Sequence, residues 1–352
     1  MAKYSFNDDY SEGVHPKLLS AIVATNASQQ IAYGNDNFTS EACNRIRAKI
    51  GCNADVGVWF VPSGTSANAI SIGSCLRPHE SVIAASSGHI VVRETGAIEA
   101  TGHKIIQVPP ENGKLTVASI QRALDENWHF PHMARPRLVY ISNATEIGTV
   151  YSKRELKDIK ALCVERDLLL FLDGARIGHA MASSKNDCTW HDIFDLTDMF
   201  WIGGTKNGSL LGEAIVIKDP KIAVDFGFHV KQHGCLLAKS WVMGAQFAAF
   251  FDPENNLFLH LAAHANEMAA RLSTALVAAG HELVAETETN QVFAIVSLPV
   301  LEQLQQHFNF YIWERLKDAK QEKAVIRLVT SWATDADQVV KFAAVLEQSS
   351  RA

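Results

Sequence analysis

No apolar run in this sequence approaches the roughly 18 residues a membrane-crossing helix needs, and no block of basic side chains tracks a phosphate backbone. Membrane spanning and nucleic-acid binding are therefore not expected. There is no GxGxxG and no Walker-type lysine loop, so a dinucleotide or nucleoside triphosphate is not favoured. The six cysteines, Cys43, Cys52, Cys75, Cys163, Cys188 and Cys235, form no CxxC pair and no His/Cys cluster. They predict no metal site and no disulfide framework, and read as reduced thiols of a cytoplasmic protein. Asn7, Asp8 and Asp9 stand where a signal peptide would need its apolar core. Internal repeats and low-complexity tracts are absent too, and 32 basic residues against 38 acidic ones leave a formal charge of -6.

What remains is an ordinary globular composition, 47% apolar and 20% charged over 352 residues, enough for one large core and a smaller one. From Val58 the chain alternates short apolar runs with amphipathic segments, as βα repeats do. Seven strands are predicted: Val58–Val61, Ser81–Ala85, Lys104–Val108, Arg137–Ser142, Leu168–Leu172, Met199–Ile202 and Glu213–Ile217. Continuous apolar strands separated by helices imply an α/β fold, a mostly parallel seven-stranded sheet covered by helices on both faces. The short turn after Lys206 makes the last pair antiparallel, so one strand is reversed. Helices are expected from Pro16, over Ser40–Ile50, over Thr116–Asn127, and over Ser152–Arg166 behind a Ser152/Glu155 capping box. Past Ala245 a long helix, Leu257–Ala279, and short strands near Glu282, Val292, Phe310 and Ile326 read as a smaller C-terminal α+β domain. A helix from Asp335 to Gln348 closes the chain. The division expected is 1–245, arm and large domain, and 246–352.

In an open parallel sheet the carboxyl ends of the strands form the ligand crevice. Lys206 lies in a glycine-rich turn after a buried strand, where lost hydration favours the neutral amine that attacks carbonyls. Asp173 ends another buried strand, and an acid opposite a Schiff-base lysine suggests pyridoxal phosphate. Ser63-Gly64-Thr65-Ser66-Ala67-Asn68 leads into a helix and offers N–H groups to an anion. His89, Glu146, Arg176 and Thr205 follow other strands. Each has an ordinary reading as well: a glycine turn with a capping serine, a solvated loop histidine or lysine, a salt-bridged loop around Asp173 and Arg176. The conjunction at several strand ends favours a cofactor site.

These residues resemble the pyridoxal-phosphate enzymes of the aminotransferase-like fold (fold type I), specifically the threonine aldolase and β-eliminating lyase group. The resemblance spans nearly the whole chain. It rests on Tyr33-Gly34, SGTSAN at Ser63–Asn68, His89, ETGAIE at Glu94–Glu99, LDGAR at Leu172–Arg176, GGTKNG at Gly203–Gly208 and RLVTSWAT at Arg327–Thr334. It implies that the SGT loop, Ser63, Gly64 and Thr65, binds the cofactor phosphate, that His89 stacks on the ring, that Asp173 meets the pyridine nitrogen and that Lys206 carries the cofactor, with Arg176 and Thr205 also among the cofactor-binding residues. Arg176 and Arg327 would orient an amino-acid substrate, with Asp8, Tyr33 and Glu146 nearby. No metal is implied.

The sequence departs from many threonine aldolases at Asp8-Asp9, at Asn143-Ala144-Thr145-Glu146 and at Lys231–Gly234, stretches tied to substrate choice. The reaction implied is reversible cleavage of an L-β-hydroxy-α-amino acid, such as threonine, allo-threonine or phenylserine, to glycine and an aldehyde. Residue types alone leave β-elimination, transamination and racemisation open, and a non-catalytic phosphate- or nucleotide-binding module is the alternative outside enzymes. His89 is the first candidate for the base, with Glu146 or a water as alternatives. The N-terminal arm and the Lys231 segment imply a homodimer or homotetramer with shared active sites.

Overall fold

The computed structural model describes residues 3–53, 55–316 and 322–350. Its strands are β1 (Tyr4–Ser5), β2 (Gly57–Val61), β3 (Glu80–Ala85), β4 (Lys104–Val108), β5 (Arg135–Ser142), β6 (Leu169–Asp173), β7 (Met199–Gly203), β8 (Glu213–Ile217), β9 (Glu282–Leu283), β10 (Gln291–Ser297), β11 (Phe308–Asn309), β12 (Tyr311–Leu316) and β13 (Lys323–Val329). Seven of them form one sheet in the order β2-β8-β7-β6-β5-β3-β4. Strand β8 is antiparallel to both β2 and β7, while β7, β6, β5, β3 and β4 run parallel. The one reversed strand is the one required by the short turn after Lys206.

Strands β3, β7 and β8 are buried along their whole length because both faces of the sheet are covered. Alternate residues enter different cores. Ile83, Val139, Ile141, Leu170, Leu172, Phe200 and Ile202 face one cluster, with Ile46 of helix Asn37–Ile50 and Phe247 of helix Trp241–Phe250. Val82, Ala84, Leu138, Tyr140, Phe171 and Trp201 face the other, with Ile70 of helix Gly64–Cys75 and Phe226 of helix Pro220–Gln232.

A second, antiparallel sheet has the order β12-β13-β10-β9. Its core joins Val292, Ala294, Ile326 and Leu328 to Met268, Leu272 and Leu276 of helix Leu257–Ala278 and to Phe342 of helix Ala336–Ser350. Leu257, Phe258 and Leu261, one end of that same helix, pack in the large core. The change of packing partner thus falls inside the long helix. The step in the sequence pattern at 245/246 lies within Trp241–Phe250, whose Phe247, Ala248 and Phe250 belong to the large core.

The start of the arm is taken up by its own chain. Strand β1 pairs in parallel with β11, Phe6 is fully buried against Phe308 and Phe342, and Val329 N–H donates to the Phe6 carbonyl. Helix Asn37–Ile50 starts three residues before the expected Ser40, since Asp36 accepts from Thr39 N–H at 2.7 Å and caps it there. Lys231 lies in the last turn of helix Pro220–Gln232 instead of in a loop. That helix, Trp241–Phe250 and Leu298–His307 were not expected, although Asp219-Pro220 and Ser297-Leu298-Pro299 are helix starts the sequence carries. Among the described residues no helix is long and apolar enough to cross a membrane.

Candidate active site

A cavity of about 720 Å³ opens at the carboxyl ends of β2, β3, β5, β6 and β7. Asp8, Ser63, Gly64, Thr65, His89, Glu146, Asp173, Arg176, Thr205, Lys206 and Arg327 all line it. Tyr33 does not. Its ring is exposed on the loop before helix Asn37–Ile50 and carries Lys231 Nζ over its face at 4.5 Å.

Each wall has a local cause. Ser63 caps helix Gly64–Cys75 through a reciprocal capping box with Ser66, which turns the first N–H groups of a three-turn helix toward the cavity. A β-carbon on Gly64 would stand 2.9 Å from the Trp201 ring, so only glycine lets this helix start so close to β7. Gly174 is equally constrained, since a β-carbon there would meet the Trp201 carbonyl oxygen at 1.8 Å.

Asp173 is buried at the end of β6 and fully engaged. One carboxylate oxygen accepts from Ala175 N–H at 2.9 Å, the other from Asn68 Nδ2 at 3.0 Å and from the Tyr140 hydroxyl. Burial, and then the neighbouring Asp173 charge, push the Tyr140 phenol well above its usual range, so it stays a donor. Asn68 Nδ2 also donates to Glu94 Oε1 at 2.7 Å, and Trp201 Nε1 donates to Asn68 Oδ1 at 3.1 Å. Glu94 Oε1 in turn lies 2.7 Å from His89 Nδ1. A carboxylate at Nδ1 favours the tautomer that leaves Nε2 as the acceptor. Glu146 accepts from His89 N–H at 3.0 Å and from the Ser142 hydroxyl at 2.7 Å, and burial raises its pKa.

Lys206 sits in a short 3-10 turn between β7 and β8. Burial, followed by the Arg176 charge, lowers its pKa, while Asp9, Asp173 and Glu213 act in the opposite sense. Its amine makes no hydrogen bond or ion pair with the other described residues, which leaves a desolvated nucleophile facing the cavity. Glu213 binds Gly204 N–H at 2.8 Å and the Thr205 hydroxyl at 2.7 Å, and burial pushes its carboxyl up to about 7. The Thr205 hydroxyl proton is thus committed to Glu213.

Arg176 differs from the sequence expectation in its partner. Its fork is closed by Asp9, with Nε at 2.7 Å and a terminal nitrogen at 3.0 Å, in a pair whose acid is fully buried. Burial alone would raise the Asp9 pKa, but Arg176 and then Lys206 hold it well below the carboxylate range. Asp8, the arm acid expected at the site, accepts from Tyr10 N–H and the Ser11 hydroxyl in its own turn. Arg327 donates twice to Gln291 Oε1, at 3.1 and 2.7 Å, so its fork is steered by a neutral amide. Burial lowers its pKa to about 10.

Sequence reasoning gave no role to Asp9, Asn68, Glu94, Tyr140 or Glu213. Two signals were legible: a doubled acid at Asp8-Asp9, and a single acid heading the otherwise apolar β8. Among the described residues no group of three or more His, Cys, Asp or Glu is placed to hold a metal ion.

Residues 9–299 match the beta-eliminating lyase family. The chain is 36% identical over 348 residues to a low specificity L-threonine aldolase of Pseudomonas sp., covering 96% of this chain and 95% of that protein. The corresponding protein of Pseudomonas aeruginosa is 35% identical, with coverage of 96% and 95%. Among solved structures, threonine aldolase of Leishmania major superposes with a TM-score of 0.95 at 44% identity, covering 99% of both chains. Aspartate aminotransferase of Thermus thermophilus, at 14% identity, TM-score 0.73 and coverage of 99% and 91%, shares the fold.

Proposed function

The chain belongs to the beta-eliminating lyase family, on the aminotransferase-like fold, and from that premise we propose that it is a pyridoxal-phosphate-dependent aldolase cleaving L-threonine-like β-hydroxy-α-amino acids to glycine and an aldehyde. The observation that carries this reading is the combination of the unpartnered Lys206 amine, the engaged Asp173 carboxylate and the Ser63–Thr65 helix start around one cavity. That donor set fits the cofactor: an amine for its aldehyde, an acid for its ring nitrogen and N–H groups with Ser63 and Thr65 for its phosphate. When bound, pyridoxal phosphate supplies an electron sink for the bond that breaks at the substrate α-carbon.

This chain's side chains supply the rest. Arg327 carries the main grip on the substrate carboxylate, because Asp9 occupies two of the Arg176 donors and leaves one terminal nitrogen free. His89 Nε2 takes the proton of the β-hydroxyl, with Nδ1 fixed by Glu94, which is itself held by Asn68. Glu146 receives the backbone N–H of His89 and so fixes the start of the turn that carries it. Asp173, oriented by three donors, would be the acid that meets the ring nitrogen. The unpaired cysteines support a reducing, cytoplasmic setting.

The test incubates holoenzyme with L-threonine and measures glycine, acetaldehyde, ammonia and 2-oxo acid. Glycine with matching acetaldehyde is expected. Ammonia and 2-oxo acid without glycine would make the enzyme a β-eliminating lyase and leave His89 without its proton.

A further inference from the structure

One cation in the cavity has no part in this reaction. Arg93 follows the short helix His89–Val92, lines the cavity and is exposed, and among the described residues no carboxylate pairs with it. Its guanidinium is held by aromatic rings, 5.6 Å from the centre of Trp313 and 5.9 Å from that of Tyr311. Such contacts position a guanidinium without neutralising it, and leave its in-plane N–H donors for a ligand.

The placement is built by tertiary structure. Tyr311 is the cross-strand partner of Arg327 on β13. The β12–β13 register then shifts between Ile312 and Glu314, which leaves Trp313 out of the ladder, and bulges of this kind re-aim a side chain. Trp313 is fixed edge-on to Phe293 at 5.2 Å and also lies 5.9 Å from the Arg327 guanidinium. Two guanidiniums therefore share one indole, and among the described residues neither forms an ion pair with a carboxylate. The nearby anions are committed elsewhere: Asp8 to Tyr10 and Ser11, Asp9 to Arg176, Glu94 to His89 and Asn68. Like charges held this way are relieved by a ligand that carries two anions. The α-carboxylate of an amino acid answers Arg327, and Arg93 remains.

We propose that Arg93 is a specificity-determining residue that receives a carboxylate on the β-substituent, so that the preferred substrate class is 3-hydroxyaspartate rather than threonine. The inference rests on the aldolase reading above and deepens it. The reaction stays balanced without a co-reactant: the Cα–Cβ bond breaks, the β-hydroxyl loses its proton and becomes the carbonyl of glyoxylate, and Cα gains a proton to give glycine. Tyr10 and Tyr311, which also line the cavity, offer a competing preference for an aromatic substituent, and the test separates the two.

Holoenzyme is assayed with L-threo- and L-erythro-3-hydroxyaspartate, L-threonine and phenylserine. Separately, succinate and propionate are titrated while the cofactor absorbance is followed. A charge-assisted contact predicts kcat/KM for one 3-hydroxyaspartate isomer about 10- to 100-fold above threonine, and succinate binding tighter than propionate by a similar factor. Arg93→Ala should lower both ratios by at least about tenfold, and Arg93→Lys should restore part of each. A preference for phenylserine or threonine, or ratios untouched by Arg93→Ala, would overturn the proposal. If no substrate yields glycine, the aldolase reading falls. The succinate-to-propionate ratio and its dependence on Arg93 still decide whether this residue selects a second carboxylate.

Discussion

At the scale of single residues, the pair Asp9–Arg176 has the largest structural consequence. Removing one member of a buried ion pair leaves the other charge uncompensated, which costs about 3–5 kcal/mol. Asp9→Ala is therefore expected to lower stability by that amount in denaturant titration, and to weaken substrate binding because the released Arg176 fork loses its orientation. The sign with pH follows from the depressed Asp9 pKa: its contribution is present above the ordinary carboxylate range and is lost as pH falls through and below that range. His89 and Glu146 separate by kinetics. His89→Asn should reduce kcat by about 10²–10⁴-fold with the cofactor still bound by absorbance, whereas Glu146→Gln should mainly raise KM. The reverse order would move the base to Glu146.

At the scale of elements, the hairpin of β7 and β8 decides where the lysine stands. Gly204 N–H and the Thr205 hydroxyl are both tied to Glu213 across that hairpin. Glu213 carries the cost of being buried there. Its folded pKa is raised to about 7 from 4.5, so the folded state holds its proton more tightly than the unfolded one. The stability it contributes is complete below about 4.5 and is lost as pH rises through about 7. Glu213→Gln keeps an acceptor for Gly204 and an amide for Thr205, and it should flatten the decline of melting temperature between pH 4.5 and 7. An unchanged slope would mean that another group titrates in that window.

At the scale of the molecule, Tyr33 stands outside its own cavity, beneath Lys231, and the helix that carries Lys231 exposes Val224 and Phe228 at 75% and 76%. Two apolar side chains this open, one turn apart on one helix, would be covered by association with a second copy. A dimer or tetramer is expected in which Tyr33 serves the neighbouring site, and Phe228→Asp should shift the sedimentation coefficient toward the monomer and lower activity together. A monomer with full activity would return Tyr33 to a surface role.

Hydrophobic pattern by itself determined the α/β sheet and its seven strands, because strands such as β3, β7 and β8 are buried on both faces and read as unbroken apolar runs, and the short turn after Lys206 determined the one reversal. It also picked out the strand-end residues around the cavity, since polar groups after buried strands have little structural duty. The starts of helices Pro220–Gln232 and Asn37–Ile50 rest on single capping acids, Asp219 and Asp36, which stand in the sequence but add nothing to the apolar periodicity. Only tertiary structure decided which charges neutralise each other. Asp8 and Asp9 are equivalent in sequence, but Asp9 is the one whose carboxylate meets Arg176, 167 residues away. Arg327 was legible through its motif, but Arg93 looks like any surface arginine until β12 and β13 bring Trp313 between the two. Charge pairing depends on a few ångströms of three-dimensional separation, and spacing along a chain carries no such distance.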